Sequence, residues 1–555
     1  MTLKKHSSVA KVAYILAVAL ISCLFFVACN NSVGPGEHTA ELDNFEIGSS
    51  LQNDYEYDYA EFDLGQKTYT TASGHTMPYN VRGVMAVPKG EGKFPLAVII
   101  HGLHEELDET KRFDTGFDYL VKALAQNGYA AVSLDMLKPY IQSYGGNDDY
   151  VEKMVVIVDN HFQSLAAANE GGVIYPMDVT NKIDLDRVAI LGHSRSGAAI
   201  FQVAKSQMDK GVGVSALLSL APAADFWHDF PNLPVAFLIP QYDGDVVQLE
   251  GIIMYDYLQN RITGDKSATM LMGANHNFFN RNVERDDSIA RRVPNAYTPL
   301  TRQEHEDFLA NFAVDFFNAS FGGDDRFYQT NQPQPNRMYG RDVTRQLHKG
   351  KPVVLANVNT ADSFTGAGAL VEHAVDSVVY FEDQVLINTA TTQILQTILD
   401  GTKNHDEIEY TSVNRDLIRI EWNQPGEGVA ITPLVSDFSG KSSLNIALVV
   451  DSASELNAPG QGHQMTVTLR DSAGNSAKVT TAPNQNAIMP YPGEHGETPL
   501  DGFTIYYWEP TTPLGMVSIP LGYFEGLDLT TVQTIELSFG AGERGAVYIG
   551  SLTLQ

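Results

Sequence analysis

Ser194, Asp243 and His276 are of the residue types that together let a hydroxyl attack a carbonyl carbon: a nucleophile, a carboxylate and a base. A serine hydroxyl is a poor nucleophile until a base takes its proton and a third group orients that base. Ser194 lies in Arg187-Val-Ala-Ile-Leu-Gly-His-Ser-Arg-Ser-Gly197. The apolar run 188–191 reads as a buried strand of a parallel sheet, and Ser196, Gly197, Ala198 and Ala199 follow at once as small residues that suit a helix. So tight a turn puts the corner residue in a strained backbone conformation, its hydroxyl over the carboxyl edge of the sheet and the next helix N-terminus beneath it. Asp243 follows the strand-like run 235–239, within Pro240-Gln-Tyr-Asp-Gly-Asp245. His276 follows 268–272, on the loop Gly273-Ala-Asn-His-Asn277. Both fall just past strand ends, where parallel α/β sheets build their sites. Asp245 is the alternative acid, otherwise a turn residue after Gly244. Asp225, past the preceding strand, is a more distant one, otherwise a cap.

The elements that must position these groups are legible as a rhythm. A tyrosine-rich acidic stretch, 51–63, alternates with period two and reads as an edge strand; 81–87 is its hairpin partner. From Pro95 onward strand and helix alternate: strands at 96–100, 130–134, 188–191, 214–220, 235–239 and 268–272, helices at 117–126, 150–169, 198–207, 247–259 and 305–318. That order implies an α/β fold, a doubly wound, mostly parallel sheet covered on both faces. Beyond a Gly-, Asn-, Gln- and Pro-rich passage the pattern changes to short alternating runs separated by turn residues, among them 417–422, 444–450, 465–469, 503–507, 517–520, 534–539 and 547–549. Those runs imply a C-terminal antiparallel β-sandwich, jelly-roll-like.

At 555 residues the chain is too long for one core. The expected division is 1–29 signal and lipobox, 30–50 tether, 51–320 catalytic domain, 321–352 linker and 353–555 sandwich. A formal net charge of −30 excludes a nucleic-acid partner, which needs clustered Lys and Arg. Both cysteines, Cys23 and Cys29, lie in the N-terminal apolar segment, so disulfides, thiol catalysis and cysteine-ligated metals are excluded from the folded part. No metal and no cofactor is expected. Lys4, Lys5 and Lys11 followed by the apolar stretch 12–28 make an export signal. Phe26-Val-Ala-Cys29 is similar to a bacterial lipobox, which implies lipidation of Cys29 and anchoring in a bacterial membrane, at the outer membrane or cell surface. Leu20-Ile-Ser-Cys23 is the alternative, and an uncleaved membrane anchor is another.

The strand–corner–helix around Ser194 resembles the nucleophile elbow of the α/β-hydrolase superfamily, with Ser196 where the usual Gly-x-Ser-x-Gly ends in glycine. The order serine, acid, histidine agrees with that superfamily. Gly192-His-Ser-Arg is most similar to its chlorophyllase, acetylhydrolase and cutinase-like polyester hydrolase branch, over about Asp54–Ser320. The resemblance implies hydrolysis of a small-molecule or polymeric carboxylic ester through an acyl-enzyme. The oxyanion donors are then the N–H of Arg195, at the helix N-terminus, and the N–H of Leu103, because His101-Gly102-Leu103 resembles the family's His-Gly. Phe226 and Trp227 either line an acyl or alcohol pocket or form a packing cluster. In the sandwich, Trp508, Tyr506 and Tyr507 either stack on a carbohydrate or polymer surface or pack the core. Two other readings stay open: a surface-binding lipoprotein with an inactive hydrolase domain, and a serine peptidase.

Overall fold

The computed structural model describes residues 37–223, 230–246, 249–259, 261–288, 298–377, 415–451, 454–458, 461–483, 485–489, 496–500, 503–507, 515–540 and 544–555. Twelve strands serve the catalytic half or lead into it: β1 (Glu37–Glu41), β2 (Glu46–Ile47), β3 (Tyr57–Thr70), β4 (Thr76–Pro88), β5 (Phe94–Ile100), β6 (Ala130–Leu134), β7 (Ile183–His193), β8 (Val214–Leu220), β9 (Val235–Pro240), β10 (Lys266–Leu271), β11 (Arg337–Met338) and β12 (Arg341–His348). All but β1 form one eleven-stranded sheet in the order β2-β11-β12-β10-β9-β8-β7-β5-β6-β4-β3. Strands β5 to β10 run parallel, and β3 and β4 form an antiparallel hairpin at one edge.

Successive residues of the central strands feed opposite cores. Val98, Ile190, Leu217 and Phe237 pack on one face against Met154 and Ile157 of helix Tyr150–Asn169, Phe201 of helix Arg195–Met208 and Met254 of helix Glu250–Leu258. Ile99, Ala189, Leu218 and Leu238 pack on the other against Leu120 and Leu124 of helix Asp118–Gln126 and Phe308, Phe312 and Phe316 of helix Arg302–Ser320. Burying each such side chain stabilises the fold by about 1.5–3 kcal/mol, which fixes register, since a one-residue slip would exchange the two faces. Helix Asp118–Gln126 ends at Asn127 with Gly128 at φ 90°, and helix Arg302–Ser320 starts on a Thr301–Glu304 capping box.

Among the described residues the C-terminal half, with β1 added in parallel at one edge, is an otherwise antiparallel β-sandwich of two six-stranded sheets. One core lies between them; in it Trp422 stacks on Phe539 with ring centroids 4.1 Å apart.

Two stretches read from the sequence as connections are parts of these sheets. Residues 30–50 were expected to be a tether, but β1 pairs in parallel with Ser476–Thr480 at the edge of the sandwich, and β2 pairs with β11 at the edge of the catalytic sheet. Residues 321–352 were expected to be a linker, but β12 runs antiparallel along the whole of β10. Its sequence, Arg341-Asp-Val-Thr-Arg-Gln-Leu-His348, hides the strand because its buried positions include Thr344, Arg345, Gln346 and His348. Two of these polar groups have buried partners: Arg345 donates to the Phe327 carbonyl at 2.6 Å, and His348 Nδ1 meets the Tyr255 hydroxyl at 2.7 Å. The halves touch directly, with the Asn486 amide donating to the Val343 carbonyl at 2.7 Å and Val449 buried in the catalytic core.

A chain ended after Phe321 leaves β10 unpaired along one side, whereas one ended after Gly350 keeps it covered. The shorter chain is expected to melt lower by about 5 °C or more, the shift that roughly 2 kcal/mol gives a domain of this size. Paired thermal unfolding of the two chains checks this; equal melting temperatures would make β12 dispensable.

Candidate active site

Ser194 stands between β7 and helix Arg195–Met208 at φ 59°, ψ −129°. A non-glycine residue held there costs of order 1–3 kcal/mol and persists only where its surroundings over-determine it. The surroundings are backbone. The Ser194 N–H donates to the Leu220 carbonyl at 2.9 Å, and its own carbonyl accepts from Gly197 at 2.8 Å and Ala223 at 3.1 Å. Gly192 is required because a Cβ there would lie 2.3 Å from the Ser196 carbonyl oxygen. Gly102 is required because a Cβ there would lie 2.4 Å from the Ser194 Cβ. The loop after β5 therefore presses on the Ser194 corner, carrying the Gly102–Leu103 peptide to it. Arg195 opens the helix at the same corner.

Ser196, the departure from the family's glycine, is buried and its hydroxyl is used. It donates to the His101 carbonyl at 2.6 Å and accepts from the Tyr140 hydroxyl at 3.0 Å. Helix Arg195–Met208 is thus tied to the loop that carries Leu103. The His101 ring is satisfied by backbone: Nδ1 donates to the Gly102 carbonyl at 2.8 Å, and Nε2 accepts from the Met136 N–H at 2.9 Å.

Asp243 follows β9 and His276 follows β10, and the structure brings them together: Nδ1–H of His276 donates to Asp243 Oδ2 at 2.8 Å, both side chains buried. The other oxygen of Asp243 accepts from Val246 N–H at 2.6 Å and Asp245 N–H at 3.1 Å, which fixes the carboxylate. Asp245 instead pairs with Arg285 toward solvent. His276 Nε2 is buried with no partner among the described residues, so no hydrogen bond joins it to Ser194. Such bonds often form only in the substrate complex. Burial pushes the His276 pKa down, but the charge and hydrogen bond of Asp243 override it, with Asp245 and Asp287 adding, so the imidazole is held well above its ordinary value. Asp135, which precedes the nucleophile, is engaged by Arg82 at 2.5 Å. Phe226, Trp227, Asp225, Cys23, Cys29 and Trp508 lie outside the described residues, as do the side chains of Tyr506 and Tyr507.

Two residues that the sequence did not single out adjoin the base. His193 donates from Nε2 to the His276 carbonyl at 3.1 Å, and the two rings lie 4.7 Å apart. His104 follows at 5.1 Å from His193. Burial first, then the neighbouring imidazoles, hold both far below the ordinary histidine value, so they are neutral. The other is Asp287. His193 lies in the Gly192-His-Ser-Arg stretch and Asp287 in no motif, but the contacts of both with the His276 loop come from placement alone. No group of three or more His, Cys, Asp or Glu among the described residues is arranged to hold a metal.

This geometry meets the comparisons with known proteins at one point. Residues 54–236 match the Chlorophyllase family model. The match begins ahead of β3 and ends inside β9, before Asp243 and His276. Among solved structures, the chain is similar to a dienelactone hydrolase-like promiscuous phosphotriesterase from metagenomic libraries, at 15% identity and TM-score 0.31, over 48% of this chain and 98% of that one. It is also similar to a ferulic acid esterase from Streptomyces cinnamoneus, at 13% identity and TM-score 0.33, over 50% of this chain and 93% of that one. No curated protein matches the chain.

Because Asp243, and not Asp245, hydrogen-bonds the imidazole, Asp243→Asn is expected to lower kcat by about 10⁴-fold through loss of ring orientation. Asp245→Asn should stay within about threefold of wild type, as loss of an exposed ion pair does. Steady-state kinetics on a nitrophenyl ester measures both, and the reverse ranking would move the acid to Asp245.

Proposed function

We propose that this chain is a serine ester hydrolase that works through an acyl-enzyme. The observation that carries the reading is the buried Asp243–His276 pair beside a serine held at positive φ on a strand-to-helix corner. In this reading His276 Nε2 takes the Ser194 proton as Oγ attacks the ester carbonyl carbon. The N–H groups of Leu103 and Arg195 hold the oxyanion. His276 then protonates the departing alcohol, and water, activated by the same imidazole, releases the acid and restores Ser194. The match to the Chlorophyllase model supports an ester as the substrate class.

Ser194→Ala should abolish turnover of a nitrophenyl ester and labelling by a fluorophosphonate while the melting temperature holds; labelling that persists would refute the nucleophile. The attacking base must be neutral, and its pKa is raised, so activity is lost as pH falls through that raised value. The acid limb of kcat/KM should therefore lie above pH 6.5, the ordinary histidine value. A limb at or below that value would mean that Asp243 is not charged beside His276.

We also propose that the chain is exported and anchored by lipid on Cys29, and that the sandwich holds it on an insoluble or polymeric ester. Among the described residues no helix is long and apolar enough to cross a membrane. Intact-mass measurement of the mature protein should find acyl chains on Cys29, lost in Cys29→Ser; an unmodified Cys29 would overturn the anchor, and acylation at Cys23 would move it.

A further inference from the structure

We propose that Asp287 is a positioning residue for the Asp243–His276 pair, an anionic staple that holds the acid turn and the base loop at one fixed separation. The proposal rests on the serine-hydrolase reading above. Asp287 Oδ2 accepts two hydrogen bonds at once, from the Gly244 N–H at 2.8 Å and the His276 N–H at 3.0 Å. Its Oδ1 accepts from the Asn277 N–H at 3.0 Å. Gly244 is the residue after the acid, and His276 is the base itself. One carboxylate thus spans the two loops whose side chains meet at 2.8 Å. The segment that carries it is laid along the base loop on either side: the Asn275 amide donates to Asp286 at 2.9 Å, and the Asn277 amide to the Arg285 carbonyl at 3.2 Å.

Asp287 is buried, and no Lys or Arg pairs with it among the described residues. Burial, and then the Asp243 charge beside it, push its carboxyl up to about 6, so the folded chain holds the carboxylate against its preference. A group kept at such a disadvantage, with each of its contacts on the two site loops, serves the site. The charge has a second consequence. His276 is faced by the carboxylates of Asp243, Asp245 and Asp287 and by the neutral rings of His193 and His104. Asp287 therefore helps to hold the positive charge that His276 acquires as Ser194 attacks.

The experiment compares wild type, Asp287→Asn, Asp243→Asn and the double variant in the full chain, on a soluble nitrophenyl ester, with Ser194→Ala as the blank. Asp287→Asn is expected to lower kcat roughly 10- to 100-fold with KM little changed, as misplacement of a catalytic pair by a fraction of an ångström does. Its acid limb should move to lower pH, because a carboxylate beside His276 has been removed. In the Asp243→Asn background the same substitution should cost less than about threefold, since residues acting as a unit are not additive. Equal losses in both backgrounds, an unmoved acid limb or an unchanged kcat would each overturn the proposal. If Asp287→Asn does not fold, Asp287→Glu, which keeps the charge but shifts it by a methylene, takes its place, expected to lower kcat while leaving the acid limb where it is. Failure of both to fold would make Asp287 a determinant of the fold instead and overturn the proposal. Wild-type turnover that survives in Ser194→Ala would sink the serine reading itself, a result separate from any of these.

Discussion

The catalytic half depends on one close approach of backbones. At the end of β7 the chain must turn into a helix within a single residue, and that residue, Ser194, takes φ 59°. The turn is possible because Gly192 lets the helix lie against the strand and Gly102 lets the loop after β5 lie against Ser194. Three strands converge there: β7 supplies the corner, β5 the loop, and β8 the Leu220 carbonyl that receives the Ser194 N–H. Strain of this kind is stable only inside a rigid frame. The frame is the central parallel strands, apolar on both faces and packed between two helical layers.

That frame was legible because its physics is local. Strands buried on both faces must be continuously apolar, and helices between them must carry one apolar stripe, so β6, β8 and helix Tyr150–Asn169 have the bounds read from the sequence. Ser194 and His276 were legible for the same reason, as polar residues at the ends of such strands. Asp243 and Asp245 were harder to separate, since both lie on one turn. Backbone direction decides between them: Val246 and Asp245 point their N–H groups at Asp243 and hold it inward, while Arg285 draws Asp245 outward. Asp287 carries no local signal at all. Its contacts are backbone N–H groups from segments 11 and 43 positions away, and no pattern of side chains encodes them.

β12 was hidden by the opposite effect, a strand whose burial is polar. Inside the protein Arg345 donates a hydrogen bond to the Phe327 carbonyl, and the Phe327 ring lies 4.4 Å beneath the guanidinium. Composition there reports solvent exposure that the fold does not permit. The consequence reaches the site, because β12 covers β10, the strand that delivers His276. The chain also crosses between its halves more than once: β1 belongs to the sandwich, β2 to β12 lie in the catalytic sheet, and the sandwich follows. Two modules connected in this way share edges, so a boundary drawn from composition alone cuts through a sheet.

The electrostatics of the site follow from this crowding. His276 is the end of a row of buried rings that continues through His193 to His104, and the latter two are kept neutral by burial and by one another. A proton added to that row belongs on His276, since Asp243, Asp245 and Asp287 face it and each favours its charged form. The tautomer is fixed as well: Nδ1–H is committed to Asp243, so in the proposed mechanism Nε2 is the atom left to exchange a proton with Ser194. His193 contributes without sharing the charge. Its Nε2–H is committed to the His276 carbonyl, which leaves an uncharged ring 4.7 Å from the imidazole and ties the base loop to the residue preceding the nucleophile. Neutral rings on one side and carboxylates on the other favour positive charge on His276 over His193 and His104. The acyl transfer to serine proposed above would require that charge separation.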